Sequence, residues 1–350
     1  MTDIRADLGE APISANEDQI IADIIQANLK MMEVEENGFK WRAQHPKGHG
    51  AIPARFIVGP DVPQAHRVGL FAQPGEYAAL IRFSNGTERR DDPKGGDAHG
   101  MAIKLFGVPG ARVEGAADAK GTLDFVLVDN ETFFEGDLNE YSAFNDLVSE
   151  VLNFKRNGDE ALAAIVNGIY LKFLKKYFSH DIYAVAQKFG DQQPTSPLRA
   201  IYWSTTPFLH GDIAVKHRVV PDPAPAPGEL RDGVEGADGL TEQLLDGLSG
   251  KAAAFDFYIQ PQEDVAAHPI EDPNVNWTEN GAGWVKLARI EIPALDAGDA
   301  VARAARVAAG DRMAFNPWNT LPEHRPLGAV NRVRNKVYKE LARARNADGV

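Results

Sequence analysis

Short β-type runs separated by turn residues recur along most of this chain, and they constrain its fold more than any other feature. Between about residues 51 and 134 the runs are "ARFIVG", "AALIRFSNG", "GMAIKLFG" and "LDFVLVDN", with Gly, Pro and Asp between them. Runs of this kind with short turns favour an antiparallel meander. Further runs follow after residue 198, namely "RAIYWST", "IAVKHRVV", "FDFYIQ" and "WVKLARIEI". The sequence therefore predicts a large antiparallel sheet built from both groups.

Helical periodicity marks three longer segments. Residues 17–35 place Ile20 and its apolar neighbours at helical intervals, which predicts an amphipathic helix. A second helical segment covers 137–178, with a break near Asn157, and a third covers about 327–345. We therefore predict an α+β fold in which helices surround one large antiparallel β-barrel.

The segment "PDPAPAPGEL", residues 221–230, is the best candidate for a domain boundary, because Pro-rich sequence favours an extended connector. Strand-like runs lie on both sides of it, so they can belong to one barrel. We predict a single domain over residues 1–350, with a flexible N-terminus at 1–16 and a connector with a short helix at 221–250.

Composition narrows the range of functions. The chain has no cysteine, which removes disulfides, thiolate metal sites and cysteine nucleophiles. Its formal net charge of −13 is not offset by a basic stripe, so we expect no nucleic-acid partner. The start of the sequence is polar and acidic, and no apolar run reaches membrane-spanning length. We therefore expect a cytoplasmic protein without a membrane partner.

The stretch "WRAQHPKGHG" contains two histidines four residues apart, His45 and His49. In a helix this spacing would place both imidazoles on one face, as a pair of metal ligands. Pro46 and Gly48 lie between them, and proline pushes the residue before it toward extended backbone. A helical zinc motif is therefore excluded. The residues alone leave open which histidine has a function.

Two other segments place polar residues on a common face. Arg82 and Ser84 are two apart in a predicted strand, so both side chains point to the same side. Arg334 and Tyr338 are four apart in the C-terminal helix, and Arg345 follows seven residues later on the same face. Each segment alone is also compatible with a solvent-facing strand or a basic surface helix.

Taken in chain order, five segments resemble the haem catalases. "RAQHPKG" resembles their distal-histidine segment, "RFS" the strand that follows it, and "DAHGMAIKLF" their Asp-x-Arg-Gly-x-Ala-x-Lys segment, with His99 in place of the arginine. "FNPWN" resembles their Phe-Asp-Pro-Ser-Asn, and "RNKVYKELARAR" has the spacing of their proximal helix. The resemblance covers about residues 40–345. The chain looks like the small catalase-related haem proteins of bacteria, a minimal version of the fold.

This resemblance implies one haem b as cofactor, with Tyr338 as the ligand of its iron. Arg334, one helical turn away, would help to hold the tyrosine as phenolate, since a nearby opposite charge lowers a pKa. The partners of the two haem propionates would be Arg42, Arg82 and Arg345, and the apolar pocket residues would be Phe134 and Phe315.

The resemblance also implies a role for the first histidine of the opening stretch. His45 would be the distal histidine that moves a proton between the two oxygens of a peroxide, and Ser84 would fix its tautomer by a hydrogen bond. His49 would then be a structural residue or a residue at the rim of the pocket.

The sequence departs from the catalases on the distal side. Catalases carry an asparagine in an Asn-x-Pro-Val-Phe-Phe segment, whereas "DNETFF" places Asp129 there, with Asn130 beside it. The sequence leaves open which of the two is the distal partner. Gln44 stands where catalases have a valine. Both changes would make the distal pocket more polar.

We therefore predict a haem-dependent peroxidase of the catalase superfamily that reduces hydrogen peroxide or organic hydroperoxides with a small organic reductant. Weak catalase activity would accompany it. One alternative is an efficient small catalase or a fatty-acid-hydroperoxide isomerase similar to allene oxide synthase. Another is a catalase-fold protein that binds haem or a lipid without turnover. The sequence is also compatible with a homo-oligomer.

Overall fold

The structure is a computed structural model, and it describes residues 3–35, 38–86, 91–92, 97–116, 121–133, 138–158, 161, 196–224, 236–296 and 298–347. The strands are β1 (Gly48–Val58), β2 (Gly75–Asn85), β3 (His99–Leu105), β4 (Leu123–Val128), β5 (Tyr202–Trp203), β6 (Phe208–His210), β7 (Ile213–Asp222), β8 (Ala253–Pro261) and β9 (Val285–Ile292). The helices of the described residues are α1 (Glu17–Met31), α2 (Leu138–Arg156), α3 (Gly239–Gly247), α4 (Ala300–Arg312) and α5 (Ala329–Ala344).

The strands form a closed antiparallel barrel. Their order is β5-β4-β3-β2-β1-β9-β8-β7, and β5 also pairs with β7, so that eight strands complete the ring. The short strand β6 pairs with β7 outside the ring. Closure removes the exposed strand edges of an open sheet. The α+β barrel predicted from the spacing of β-type runs is confirmed.

The predicted connector separates two strands of the same barrel. β7 and β8 pair with each other over eight residue pairs, although the Pro-rich segment lies between them in the chain. Residues 225–235 of this segment lie outside the described residues, and α3 follows as the expected short helix. The extent of the domain remains a prediction. In the N-terminal stretch predicted to be flexible, Glu10 is buried and accepts a 2.9 Å hydrogen bond from Arg325.

The helices agree with the sequence in part. α1 and α5 occupy the predicted segments, and α2 fills the first part of 137–178, whose remainder after residue 158 lies almost wholly outside the described residues. The sequence missed α4, because alanine and arginine dominate it and leave no stripe of large apolar side chains. Asp299 caps this helix by accepting hydrogen bonds from the backbone of its first turn. Within the described part of the chain, no helix has both the length and the apolar character to span a bilayer.

Aromatic side chains fill the barrel interior. Phe56 on β1 is fully buried. Its ring centroid lies 5.8 Å from that of Phe125 on β4 and 5.4 Å from that of Phe257 on β8. These strands are not neighbours of β1 in the sheet, so the contacts tie together separate parts of the ring. Full burial of such a side chain stabilises the fold by about 1.5–3 kcal/mol.

Replacing Phe56 should therefore destabilise the whole barrel. We expect Phe56→Ala to lower the free energy of unfolding by about 3–5 kcal/mol, because the barrel cannot collapse around the lost ring. Val301→Ala is a suitable control, since its side chain is 77% exposed on α4, and it should change stability by less than about 0.5 kcal/mol. Urea denaturation followed by circular dichroism measures both. Equal effects would contradict the place of Phe56 in the core.

Candidate active site

A cavity of about 210 Å³ lies between one side of the barrel and helices α1, α2 and α5. Strands β2, β3 and β4 form its barrel wall, and the segment before β1 and the segment after β5 complete it. Eight of the predicted site residues line this one cavity, namely Arg42, His45, Arg82, Ser84, Phe315, Arg334, Tyr338 and Arg345. The fold thus brings together residues from the two ends of the chain.

The distal histidine predicted from the sequence is held at the start of the barrel. Ser84 is the next to last residue of β2 and pairs in register with Gly48, the first residue of β1. His45 precedes this pair, and its Nδ1 lies 3.1 Å from Ser84 Oγ. Its backbone is left-handed, with φ at 53°, which is unusual for a residue with a side chain. Arg82 supports this conformation, because its Nη2 donates a 2.9 Å hydrogen bond to the carbonyl oxygen of His45.

Gly100 on β3 leaves the space that His45 and Ser84 need. A Cβ atom added at this glycine would lie 2.7 Å from Ser84 Oγ and 2.9 Å from His45 Nδ1. Both distances are shorter than van der Waals contact allows. Glycine at this position is therefore a condition for the hydrogen bond between the two side chains.

The environment of His45 keeps its imidazole neutral. Burial, together with the positive charges of Arg82 and Arg42, lowers the pKa of His45 to about 3. A neutral imidazole has one nitrogen that can accept a proton. With Nδ1 engaged by Ser84, Nε2 is the nitrogen that can exchange a proton with a ligand in the cavity.

Three arginines meet at one end of the cavity around the end of α4. Arg82 Nη2 lies 2.9 Å from Asp311 Oδ1, and both side chains are buried. Arg42 and Arg345 each donate through Nη1 to the backbone oxygen of Asp311, at 3.0 and 2.8 Å. Gly48 leaves room for the ion pair, since a Cβ there would lie 2.6 Å from Asp311 Oδ1.

Among the described residues, the three arginines of this cluster meet one carboxylate, that of Asp311, so positive charge is in excess. Burial, and then repulsion by Arg82 and Arg345, lower the pKa of Arg42 well below its ordinary value. Burial, together with the charge of Arg82, likewise lowers the pKa of Arg345 to about 10. The Nε of Arg82 is buried and has no hydrogen-bond partner among the described residues. The end of the cavity is therefore suited to a ligand with carboxylate groups.

Tyr338 and Arg334 lie on another wall of the cavity, as their spacing on α5 predicts. Arg334 is buried, and its Nη2 donates toward the Tyr338 hydroxyl at 3.4 Å. Its Nη1 donates to Thr206 Oγ1 at 3.0 Å and to Asn331 Oδ1 at 3.1 Å. Both of these partners are neutral, so neither of them offsets the positive charge of the guanidinium beside the phenol.

The side chains that line the cavity are chemically suited to a haem. A haem has an apolar ring and two carboxylates, and the cavity offers apolar walls from Met101, Val126 and Phe315 together with the arginine cluster. Tyr338 would supply a single ligand to the iron. Across the described ranges, no group of three or more His, Asp or Glu side chains is placed to hold a metal ion.

Asp129 and Asn130 lie outside the lining of the cavity. Asp129 is buried, and its carboxylate lies 2.7 Å from His99 Nδ1 and accepts a 2.7 Å hydrogen bond from the backbone of the same histidine. Burial acts to lower the pKa of His99, but this carboxylate outweighs burial and raises it. Asn130 donates to the backbone oxygen of Thr132 at 2.6 Å. The distal role predicted for one of the two thus has no support from their contacts.

His49 is a structural residue. It is fully buried, its Nδ1 lies 2.9 Å from Thr241 Oγ1, and its Nε2 lies 2.9 Å from Asn85 Oδ1. Both ring nitrogens are therefore engaged by the protein, and the side chain is not part of the cavity lining. Phe134, predicted for the haem pocket, lies outside the described residues, whereas its neighbour Phe133 lines the cavity.

Some residues that line the cavity or contact its arginines were not predicted from the sequence as part of the site. Asp311 gave no signal, because its role depends on arginines from distant segments. Asn28 could have been noticed, since it is a polar residue on the buried stripe of α1, one turn after Ile24. The sequence indicates Gln44 only as a departure from the valine of catalases.

Sequence comparison matches this chain to no family model and to no curated protein. The structure, however, is similar to solved catalases. Catalase A from Saccharomyces cerevisiae has a TM-score of 0.59 at 15% identity, and the match covers 99% of this chain and 68% of that chain. A fungal catalase has a TM-score of 0.58 at 14% identity, with coverage of 96% and 64%.

A bacterial catalase gives the same TM-score of 0.58 at 14% identity, with coverage of 100% and 64%. The chain thus has the catalase fold, and it spans 64–68% of the length of these three proteins.

Adding a methyl group at Gly100 should separate His45 from Ser84. We expect Gly100→Ala to break their hydrogen bond, because the new Cβ would overlap both side chains. Histidine side-chain ¹⁵N NMR would detect the change in the tautomer and hydrogen bonding of His45. Gly283→Ala is the control, since a Cβ there meets nothing within 4 Å. An unchanged His45 signal in Gly100→Ala would show that the glycine is not required.

Proposed function

We propose that this protein is a haem-dependent peroxidase of the catalase superfamily. Its substrates are hydrogen peroxide or organic hydroperoxides and a small organic reductant, and its catalase activity is weak. The observation that carries the proposal is the convergence of two residue pairs in one cavity. His45 with Ser84 forms a neutral proton carrier, and Tyr338 with Arg334 forms an iron ligand supported by a positive charge.

Each group around the cavity has a distinct task toward the cofactor. When bound, haem supplies an iron centre that accepts the oxidising equivalents of the peroxide. Tyr338 holds the iron, and the guanidinium of Arg334 favours the phenolate form of the ligand. Arg42, Arg82 and Arg345 bind the propionates, which would offset the surplus of positive charge at that end of the cavity.

His45 moves the proton that peroxide cleavage requires. Its neutral Nε2 accepts the proton from one peroxide oxygen and returns it to the other, so that the O–O bond breaks and the second oxygen leaves as water. Ser84 keeps Nδ1 occupied and so prevents the ring from turning away. A positioned acid–base group of this type contributes about 10²–10⁴-fold to a rate.

The walls of the cavity favour peroxidase over catalase chemistry. Gln44, directly before His45, has an exposed side chain that also lines the cavity, so the distal side is open to solvent. An open distal side admits an organic reductant, which competes with a second peroxide molecule for reaction. We expect slow oxygen release relative to oxidation of a phenolic dye, and steady-state measurement of both rates compares them. Faster oxygen release than dye oxidation would contradict this assignment.

The ligand assignment is tested by Tyr338→Phe. The haem-loaded protein should have a high-spin ferric absorption spectrum without thiolate or bis-histidine features, and the variant should lose haem or change this spectrum. Tyr77→Phe serves as the control, because Tyr77 is a half-buried tyrosine on β2 outside the cavity. An unchanged spectrum in Tyr338→Phe would rule out Tyr338 as the ligand.

The proton carrier is tested by comparing the two histidines of the opening stretch. His45→Ala should retain haem but lose peroxide cleavage by at least about 10²-fold, since it removes the acid–base group. His49→Ala removes a buried structural imidazole. It should destabilise the fold, but it should lower the rate of peroxide cleavage far less than His45→Ala does. Stopped-flow measurement of the first reaction with peroxide gives both rates. A larger rate loss in His49→Ala would reverse the assignment.

The low pKa of His45 also predicts the pH profile of the reaction. Protonation removes the proton acceptor, and with a pKa of about 3 the imidazole stays neutral above about pH 4. The rate of peroxide cleavage should thus be constant between about pH 5 and 8, provided that circular dichroism shows an intact fold. A fall with a midpoint near 6.5, the ordinary histidine pKa, would show that the environment does not shift His45.

A further inference from the structure

Three side-chain amides form a network beside His45, at the end of the cavity where Gln44 is exposed to solvent. We call this end the mouth of the cavity. Asn145 on α2 is fully buried, and its Oδ1 accepts hydrogen bonds from Asn28 Nδ2 at 2.7 Å and from Gln44 Nε2 at 3.0 Å. Asn28 on α1 and Gln44 both line the cavity. None of the three amides takes part in the tasks assigned to the peroxide or the haem.

Backbone carbonyls fix the orientation of these amides. Asn145 Nδ2 donates to the backbone oxygen of Tyr141 at 2.8 Å, and Asn28 Nδ2 donates to that of Ile24 at 2.8 Å. A carbonyl can only accept, so each amide must direct its nitrogen toward it. The Oδ1 of Asn145 must then face the other two side chains, which donate to it.

This arrangement leaves an unused acceptor in the cavity wall. Both hydrogens of the Asn28 amide are engaged, while its Oδ1 has no hydrogen bond to the described residues, although the side chain is only 2% exposed. An acceptor in the cavity wall that has no protein partner can accept a hydrogen bond from a ligand. The second N–H of Gln44 and its Oε1 make no hydrogen bond to the described residues. The wall thus offers an acceptor without a protein partner, on Asn28, and a donor nearby, on Gln44.

Aromatic side chains surround the rest of the mouth. Phe133, Tyr141 and Phe144 line the cavity on the side of α2, and the rings of Phe133 and Tyr141 meet edge to face at 5.5 Å between centroids. Met32 completes this apolar surface from the end of α1. Such a surface is suited to a flat aromatic ligand.

We propose that the amide network and these rings form a subsite for a neutral phenol, the reductant of the proposed peroxidase. The phenol hydroxyl donates to Asn28 Oδ1 and accepts from the remaining N–H of Gln44, while its ring packs against the aromatic side chains. A carboxylate or phenolate is disfavoured, because it brings negative charge to a carbonyl oxygen that can only accept. This inference rests on the proposed function and names the class of its second substrate.

The stoichiometry of the reaction is balanced with a phenol. Two phenol molecules each lose one electron and one proton and become phenoxyl radicals, and one hydrogen peroxide takes up the two electrons and two protons to give two water molecules. The peroxide is handled by His45, so the acceptor on Asn28 is free for the hydroxyl of the phenol.

Calorimetric titration of the haem-loaded protein with phenol and with anisole tests the subsite. Anisole has the same ring but cannot donate a hydrogen bond, so the parent protein should bind phenol about 2- to 10-fold more tightly. Asn28→Leu should remove this preference. Met32→Leu is the matched control, since it changes an apolar residue of the same mouth and should preserve the preference.

Gln44→Leu is a second variant that does not threaten folding, because the side chain is exposed. It should weaken the binding of phenol and of anisole by a similar factor, since the oxygen of each can accept a hydrogen bond from Gln44. Equal binding of phenol and anisole to the parent protein, or a preference that survives in Asn28→Leu, would overturn the subsite. Haem uptake is recorded first by absorption, so failure of the proposed function shows there, whereas failure of the subsite shows only in the titration.

Discussion

Arg82 connects the two halves of the candidate site, and much of the geometry depends on it. From β2 its guanidinium binds the carbonyl oxygen of His45 and the carboxylate of Asp311 on α4. The first contact supports the left-handed backbone of His45, and the second places α4 where Arg42 and Arg345 reach its last residues. Both hydrogen bonds come from the same nitrogen of Arg82, Nη2.

The cavity has three regions whose side chains differ in charge. At one end, buried guanidiniums exceed the available carboxylates, so this end favours anions. Near β1 the same positive charges, together with burial, hold His45 neutral, which is the state in which it can accept a proton. At the mouth, uncharged amides and aromatic rings favour a neutral organic molecule. The proposed cofactor, peroxide and reductant would thereby occupy regions of the cavity that differ in charge.

Much of the fold and part of the site could be predicted from the sequence. Period-two runs and turn residues predicted the barrel strands, and two-residue and four-residue spacings placed Ser84 beside Arg82 and Tyr338 beside Arg334 on common faces. The order of residues around Asp129 could not show that this side chain would contact His99 and lie outside the lining of the cavity. Its orientation is set by an ion pair with His99, a residue on the neighbouring strand β3. The orientation of the Asn28 amide likewise depends on a distant residue, because its nitrogen donates to Asn145 on α2 and leaves Oδ1 without a partner among the described residues.

The barrel closes through its shortest strand, and this has a consequence for how a large planar cofactor could enter. β5 is held to β4 by the pair Val128 and Trp203, and to β7 by two pairs that involve Tyr202 and Trp203. Few ladder hydrogen bonds must break for this seam to open, so its backbone amides are expected to exchange with solvent before those of the long strands. Trp203 also lines the cavity. The seam with the fewest strand pairs in the described barrel therefore lies against the cavity. Its transient opening would admit the proposed cofactor without unfolding the other strands.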